Sequence, residues 1–317
     1  MNARERFRGC LLGLACGDAV GTTVEFRRRG TFPLVTDMTG GGPFNLRPGQ
    51  WTDDTSMALC LASSLVELGR FDPRDQMARY VRWRREGYWS SNGKCFDIGR
   101  TTAKALSQFR ETGEPFSGST DPHSAGNGCI MRLAPVPMFF YPDRNLAIEM
   151  SGESSRTTHG SVECVDSCRL LAAILFQAFS GVTKDAVLLD HGLSFLDSPK
   201  VQEIAAGMYR AKVIDEIRGS GYVVDCLEAA LWCFHQTDSF AEAILAATNL
   251  GSDADTTAAV CGQIAGAFYG EPGIPSHWLE RLTMRAEITE LADRLCEFTI
   301  QPNNAPPVIE TSGKPSP

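Results

Sequence analysis

The chain has 317 residues, with 30 Lys+Arg against 38 Asp+Glu and a formal charge of −8. Hydrophobic residues at 43% and charged residues at 21% describe an ordinary soluble protein, long enough to bury a core without staples. The acidic balance excludes sequence-independent binding to nucleic acid or to an anionic membrane, both of which need clustered Lys and Arg. It leaves room for an anionic small ligand held by backbone amides or a metal.

At the N-terminus Gly9, Gly13, Gly17 and Gly21 recur every fourth residue. In a helix this spacing makes a smooth face that another backbone can approach closely, although each glycine lowers helix stability by about 1 kcal/mol. Asp18 interrupts the short apolar stretch here, so the segment reads neither as a signal peptide nor as a membrane span. A Gly/Pro-rich loop, Thr39–Gly49, leads into Thr52-Asp53-Asp54. A helical stripe of Met57, Leu61, Leu65 and Leu68 follows. Trp83 and Trp89, with the Arg79–Arg85 run, read as a solvated amphipathic segment. Gly113–Gly128 is a second long irregular stretch, and long ordered loops in a compact helical domain usually serve function.

Further helical stripes run through Cys164–Phe179, Val201–Ile217, Asp225–Phe234, Phe240–Leu250, Thr256–Phe268 and Trp278–Phe298. Alternating Val/Ile/Thr strands are absent, which predicts an all-α domain over residues 1–300. The segment 301–317 is Pro-rich with almost nothing to bury, and reads as a disordered tail. Eleven cysteines without a Cys-x-x-Cys pair point to reduced thiols, many of them buried, in a cytoplasmic protein.

Two acidic clusters each open a predicted helix: Thr52-Asp53-Asp54-Thr55, and Ser252-Asp253-Ala254-Asp255-Thr256. Either alone reads as helix capping, and Ser252 with Asp255 even has capping-box spacing. Capping needs one acceptor, however, and each cluster supplies two carboxylates with hydroxyls beside them. Such an all-oxygen set suits Mg²⁺, Mn²⁺ or Ca²⁺ rather than zinc. If the two helix starts face each other, cations between them relieve the repulsion, and a two-metal site is the economical reading. An EF-hand beginning at Asp253 fails, because Ala258 and Ile264 occupy its glycine and glutamate positions. An aspartate-rich isoprenoid synthase would need a third aspartate where Met57 stands.

Several segments together carry a family resemblance. They are Gly13-Leu-Ala-Cys-Gly-Asp-Ala-Val-Gly21 through Glu25-Phe26, Met38–Gly42, Gly49–Met57 and Cys95-Phe-Asp-Ile-Gly99. Ser124–Gly128 with Met131-Arg132, Thr158-His159 and Gly251–Thr257 complete the set. In this order the chain resembles the ADP-ribosylglycohydrolase family. It is most similar to the bacterial type that reactivates dinitrogenase reductase by removing ADP-ribose from an arginine.

The resemblance implies a compact orthogonal bundle of helices with functional loops at helix N-termini. It implies that Thr52, Asp53, Asp54, Asp253, Asp255 and Thr256 hold two divalent cations, Mg²⁺ or Mn²⁺. Glu25, Asp97 and Asp54 are the implied catalytic acids, Glu25 beside the metals and Asp97 near the scissile bond. Ser124, Gly126, Asn127 and Gly128 match the loop whose backbone holds the diphosphate. His159 and Tyr222 line the ADP-ribose cleft. Arg100 departs from the family's pattern, in which a shorter polar residue is expected, and either pairs with Asp97, lowering its pKa, or points at phosphate.

The implied reaction is metal-dependent hydrolysis of the bond between ADP-ribose and a protein side chain, arginine first. An O-linked ester or serine adduct is the alternative acceptor, and a catalytically silent ADP-ribose binder or structural relative is the non-enzymatic one. The implied partner is an ADP-ribosylated protein or small ADP-ribosyl substrate, with no nucleic acid or membrane, acted on by a monomer. Glu25 as a surface residue, Asp97 as a helix cap, His159 as a loop anchor and Tyr222 as a core ring remain open readings.

Overall fold

The computed structural model describes residues 1–189 and 191–300. The helices are α1 (Ala3–Gly21), α2 (Asp53–Leu68), α3 (Pro73–Glu86), α4 (Arg100–Thr112), α5 (Pro135–Phe140), α6 (Arg144–Arg156) and α7 (Val162–Phe179). They continue with α8 (Lys184–Leu189), α9 (Pro199–Ala205), α10 (Val223–Gln236), α11 (Phe240–Thr248), α12 (Ala254–Tyr269), α13 (Ser276–Arg281) and α14 (Arg285–Ile300). Among the described residues there is no sheet, only isolated bridges, so the all-α expectation holds. The expected tail, 301–317, lies outside the described residues.

The glycine stripe organises the interior. A Cβ at Gly9, Gly13, Gly17 or Gly21 would lie 2.1–2.4 Å from carbonyl oxygens of Gly266, Gly262, Ala258 and Ala254, respectively. Backbone therefore meets backbone along the whole of α1 and α12, with small residues on both sides. The pair is surrounded by α2, α7, α10, α11 and α14. Nearly all buried apolar side chains join one contiguous cluster around this pair. The close packing fixes the register of α12 on α1 and so sets where the α12 N-terminus points.

Two expected helices are broken. The stripe over Val201–Ile217 divides after α9, because Gly207 turns to φ 75 and only short 3₁₀ turns follow. The left-handed residue ends the helix and its carbonyl ladder. The stripe over Trp278–Phe298 splits into α13 and α14 at Met284, φ 55. There the Thr283 N–H donates to the Gly49 carbonyl at 3.0 Å, and Trp51 Nε1 donates to the Thr283 carbonyl at 3.2 Å. The loop before α2 is thus latched into the break. Trp83, expected on a solvated segment, is buried on the inner face of α3, while the arginines take the outer face.

Ten of the eleven cysteines are buried, as small apolar residues are. No helix among the described residues is long and apolar enough to cross a membrane.

Candidate active site

The starts of α2 and α12 lack local side-chain caps. Their orphan N–H groups are satisfied from a distance instead. Asp18, fully buried on α1, accepts from Thr52 N at 2.9 Å and Thr55 N at 3.0 Å. It also accepts from Thr52 Oγ1 at 2.9 Å and Thr55 Oγ1 at 2.6 Å. Glu25, just after the 3₁₀ turn that follows α1, accepts at Oε2 from Ala254 N at 2.7 Å and Asp255 N at 3.2 Å. The Ser252–Asp255 capping box suggested by spacing does not form; Asp255 Oδ1 accepts from Thr256 N at 2.6 Å. With capping supplied by Asp18 and Glu25, the aspartates of both clusters are free for other duty.

The two clusters meet. Thr52 Oγ1 lies 2.9 Å from Asp18 Oδ1, 3.4 Å from Asp54 Oδ2 and 3.3 Å from Asp255 Oδ2. One hydroxyl proton cannot serve three carboxylates. Asp54 Oδ1 is buried without a hydrogen-bond partner. Glu25, Asp253 and Asp255 each offer an oxygen within 4.8 Å of the others, a spacing that could hold a metal ion. Burial pushes all these carboxyls up. Glu25 reaches about 8, with repulsion from Asp253 adding to burial. Asp53, Asp54 and Asp255 move in the same direction through burial and mutual repulsion. An orphaned oxygen and a cluster of desolvated carboxylates are the marks of a donor set that fits a hard divalent cation.

Beside the cluster opens a cleft of about 1100 Å³. Glu25, Asp53, Asp97, Asp253, Asp255 and Thr256 line one end, and Arg100, Ser124, Gly126, Asn127, Gly128, His159 and Tyr222 the rest. Thr52 and Asp54 are not on its wall; both are buried behind it. Asp97 takes φ 61, and burial pushes its carboxyl up to about 7. That is opposite to the lowering expected from pairing with Arg100, and no ion pair joins the two among the described residues. Arg100 is exposed at the first residue of α4.

The glycine loop is tied down at both ends. Asn127 N donates to the Gly221 carbonyl at 3.1 Å and Val223 N to the Ala125 carbonyl at 3.0 Å. Ser124 N donates to Asp121 O at 2.9 Å and Gly126 N to Ser124 O at 2.8 Å. Three of the loop amides expected to face a ligand are therefore already committed. Asn127 Nδ2 donates to Asp253 Oδ2 at 3.1 Å, which links the loop to the acidic cluster.

His159 is buried under the same loop; a Cβ at Gly128 would lie 2.8 Å from its Cε1. Its Nδ1 is 2.8 Å from Thr158 Oγ1, which accepts from the buried Arg132 at 2.6 Å. With one lone pair taken by Arg132, the Thr158 hydroxyl can still donate to Nδ1 or accept from it, so this contact serves either neutral tautomer of the ring. Burial holds the ring neutral, with its pKa lowered to about 4. His159 stands on the cleft wall, and its ring bonds Thr158 rather than the loop.

Residues that sequence reasoning passed over also stand here. Asp18 looked like an interruption of an apolar stretch, and its partners lie more than thirty residues on. Lys200 donates to Tyr222 OH at 2.7 Å and pairs with Glu163 at 3.0 Å, and all three line the cleft. No spacing signal links these three.

The sequence profile of ADP-ribosylglycohydrolases matches residues 1–304. This chain belongs to the ADP-ribosylglycohydrolase family. It is 47% identical over 291 residues to "ADP-ribosylarginine hydrolase Tri1" of Serratia proteamaculans (strain 568), covering 92% of this chain and 79% of that protein. It is 31% identical over 300 residues to the "ADP-ribosyl-[dinitrogen reductase] glycohydrolase" of Rhodospirillum rubrum, covering 90% and 93%. A solved "ADP-ribosylglycohydrolase-related protein complex" superposes with a TM-score of 0.83 at 41% identity, over 94% of this chain and 99% of that one.

Proposed function

We propose that this protein is a divalent-metal-dependent hydrolase that cleaves the glycosidic bond between ADP-ribose and an arginine side chain. The observation that carries the reading is the meeting of two helix starts whose caps come from Asp18 and Glu25. That arrangement leaves Asp53, Asp253 and Asp255 on the wall of a cleft large enough for a nucleotide sugar, with the orphaned Asp54 oxygen buried behind them. The names of the relatives, an ADP-ribosylarginine hydrolase and a dinitrogen reductase glycohydrolase, support arginine as the acceptor.

In this reading Thr52, Asp53, Asp54, Asp253, Asp255 and Thr256 hold two Mg²⁺ or Mn²⁺ ions, with Glu25 beside them. When bound, the cations would neutralise the carboxylates and orient the vicinal hydroxyls of the ribose. The chain's own residues do the rest. Three loop amides are internally bonded, so the diphosphate contacts fall to the Gly128 backbone, with the neutral His159 ring beside it on the cleft wall. Tyr222 walls the cleft at the Lys200 end. The anionic cluster stabilises positive charge as it develops at the anomeric carbon.

Water oxygen bonds to that carbon, the carbon–nitrogen bond breaks, and the departing guanidine nitrogen takes a proton. Asp97 and Glu25, the carboxyls that line the cleft beside the cluster, take the proton from water and return it. We assign the chain to one catalytic domain over residues 1–300, acting as a cytoplasmic monomer on ADP-ribosylated protein. The test is to incubate chelated protein with arginine-linked and serine-linked ADP-ribosyl substrates, with and without Mg²⁺ or Mn²⁺, and to measure free ADP-ribose. Metal-dependent release from arginine supports the proposal. Release from serine alone overturns the acceptor, and ADP-ribose binding without release overturns the activity.

A further inference from the structure

Three phenylalanines from three separate segments meet in edge-on and tilted contacts outside the apolar core, with Phe26 on the cleft wall. The rings of Phe26 and Phe44 are 6.2 Å apart and those of Phe44 and Phe96 are 5.2 Å apart. None of the three packs against the main core cluster. Phe26 follows Glu25 in the chain and Phe96 precedes Asp97, and both carboxyls line the same cleft as the Phe26 ring. Phe26 lines the cleft and is 65% exposed.

Phe26 is also held outward by its backbone. It takes φ 62, a region that a bulky residue rarely adopts. Reciprocal bonds with the strand-like partner segment keep it there. Phe26 N donates to Ser252 O at 2.7 Å, and Ser252, itself at φ 66, donates to Arg27 O at 2.6 Å. A large apolar ring fixed in a strained conformation at a cleft mouth, with no core to fill, is a contact surface for what enters the cleft.

We infer that Phe26, backed by Phe44 and Phe96, is the acceptor-recognition element that receives the guanidinium of the modified arginine. This rests on the arginine reading proposed above and adds the residues that select it. Aromatic faces carry negative potential and attract a planar delocalised cation, and flanking carboxylates reinforce that preference. The Glu25 and Asp97 carboxyls line the same cleft as the ring, so ring and acids together match a guanidinium. A serine adduct offers neither the charge nor the plane. The ring face also accommodates the methylene stem that leads back to the substrate protein.

The test uses the metal-loaded full chain and compares wild type with Phe26→Ala, Phe26→Leu and Phe26→Tyr. The readouts are steady-state kinetics on ADP-ribosyl-arginine and calorimetric affinity for free ADP-ribose, which lacks the acceptor. Phe26→Ala and Phe26→Leu are expected to raise KM for the arginine-linked substrate about fivefold, with kcat within about twofold. Phe26→Tyr keeps the wild-type KM, and ADP-ribose affinity is the same in all four proteins. An unchanged KM in Phe26→Ala overturns the inference. A wild-type KM in Phe26→Leu overturns the guanidinium assignment, since apolar contact alone then suffices. An equal loss of ADP-ribose affinity places the ring on the nucleotide side and overturns it as well. Wild-type protein that binds ADP-ribose yet releases none from arginine refutes the arginine reading itself, and with it this inference; that failure is seen without any variant.

Discussion

Replacing Asp18 by asparagine removes the charge that caps α2 while keeping the shape of the side chain. The carboxylate accepts four hydrogen bonds, from the backbone N–H and the hydroxyl of both Thr52 and Thr55. Each carboxylate oxygen faces one backbone N–H, so whichever oxygen becomes NH₂ confronts a donor and leaves it orphaned. Losing two bonds to a charged acceptor costs roughly 3–6 kcal/mol. Removing a buried negative charge from beside Asp53 and Asp54 returns part of this, since burial and repulsion already raise their pKa. The net expectation is a destabilisation of about 2–4 kcal/mol, or roughly 3–6 °C in Tm for a chain of this size.

A positioning residue behind metal ligands also tunes their geometry, so Mn²⁺ affinity should fall about tenfold or more. Denaturant unfolding of the chelated protein and calorimetric Mn²⁺ titration read the two effects separately. An Asp18→Asn protein with the wild-type unfolding midpoint and the wild-type Mn²⁺ affinity would refute the capping argument.

Gly17→Ala should destabilise the protein although alanine favours helix. Its Cβ would sit 2.1 Å from the Ala258 carbonyl oxygen, and an overpacking cost of about 1–3 kcal/mol or more outweighs a propensity gain of about 1. A Tm at or above wild type would contradict the backbone contact of α1 and α12. His159 predicts an acid-side loss of stability. Its folded pKa of about 4 lies below the ordinary 6.5, so the unfolded chain binds more protons between these values. Stability from this residue is present above pH ~6.5 and is lost as pH falls toward ~4, by up to about 3 kcal/mol. The slope difference between wild type and His159→Gln in denaturant titrations isolates it; identical slopes would show that the ring is not held neutral.

Helices, the glycine face and the two acidic clusters are legible in the sequence because they are local. Period 3.6 reports a buried stripe, and four glycines at spacing four report close approach without naming the partner. What spacing cannot report is which helix start meets which. Thr52 and Asp255 are 203 positions apart, and their contact follows from the α1–α12 packing rather than from either cluster. For the same reason the caps were misassigned. Ser252 and Asp255 satisfy a local pattern, but Glu25 reaches the α12 N-terminus first. The broken stripes at Gly207 and Met284 were hidden because apolar periodicity continues through them, while left-handed backbone and the Gly49 latch end the helices. Lys200 and Glu163 carry no motif, and Phe26 and Phe96 stand inside two of the resemblance segments without any sign that they share a cluster; both groups are visible only once distant segments meet.

The central claim is that the carboxylates gathered between α2 and α12 hold the metal that makes this chain an ADP-ribosylarginine hydrolase. The most direct measurement is ADP-ribose release from an arginine-linked substrate by wild type and Asp255→Ala, each chelated and then supplied with Mg²⁺ or Mn²⁺, with circular dichroism confirming that the variant is folded. The account predicts release by wild type only when metal is restored, and at least a hundredfold loss (about 2.7 kcal/mol of barrier) in a folded Asp255→Ala protein. Undiminished release by that variant, or release by wild type that ignores chelation, would contradict it.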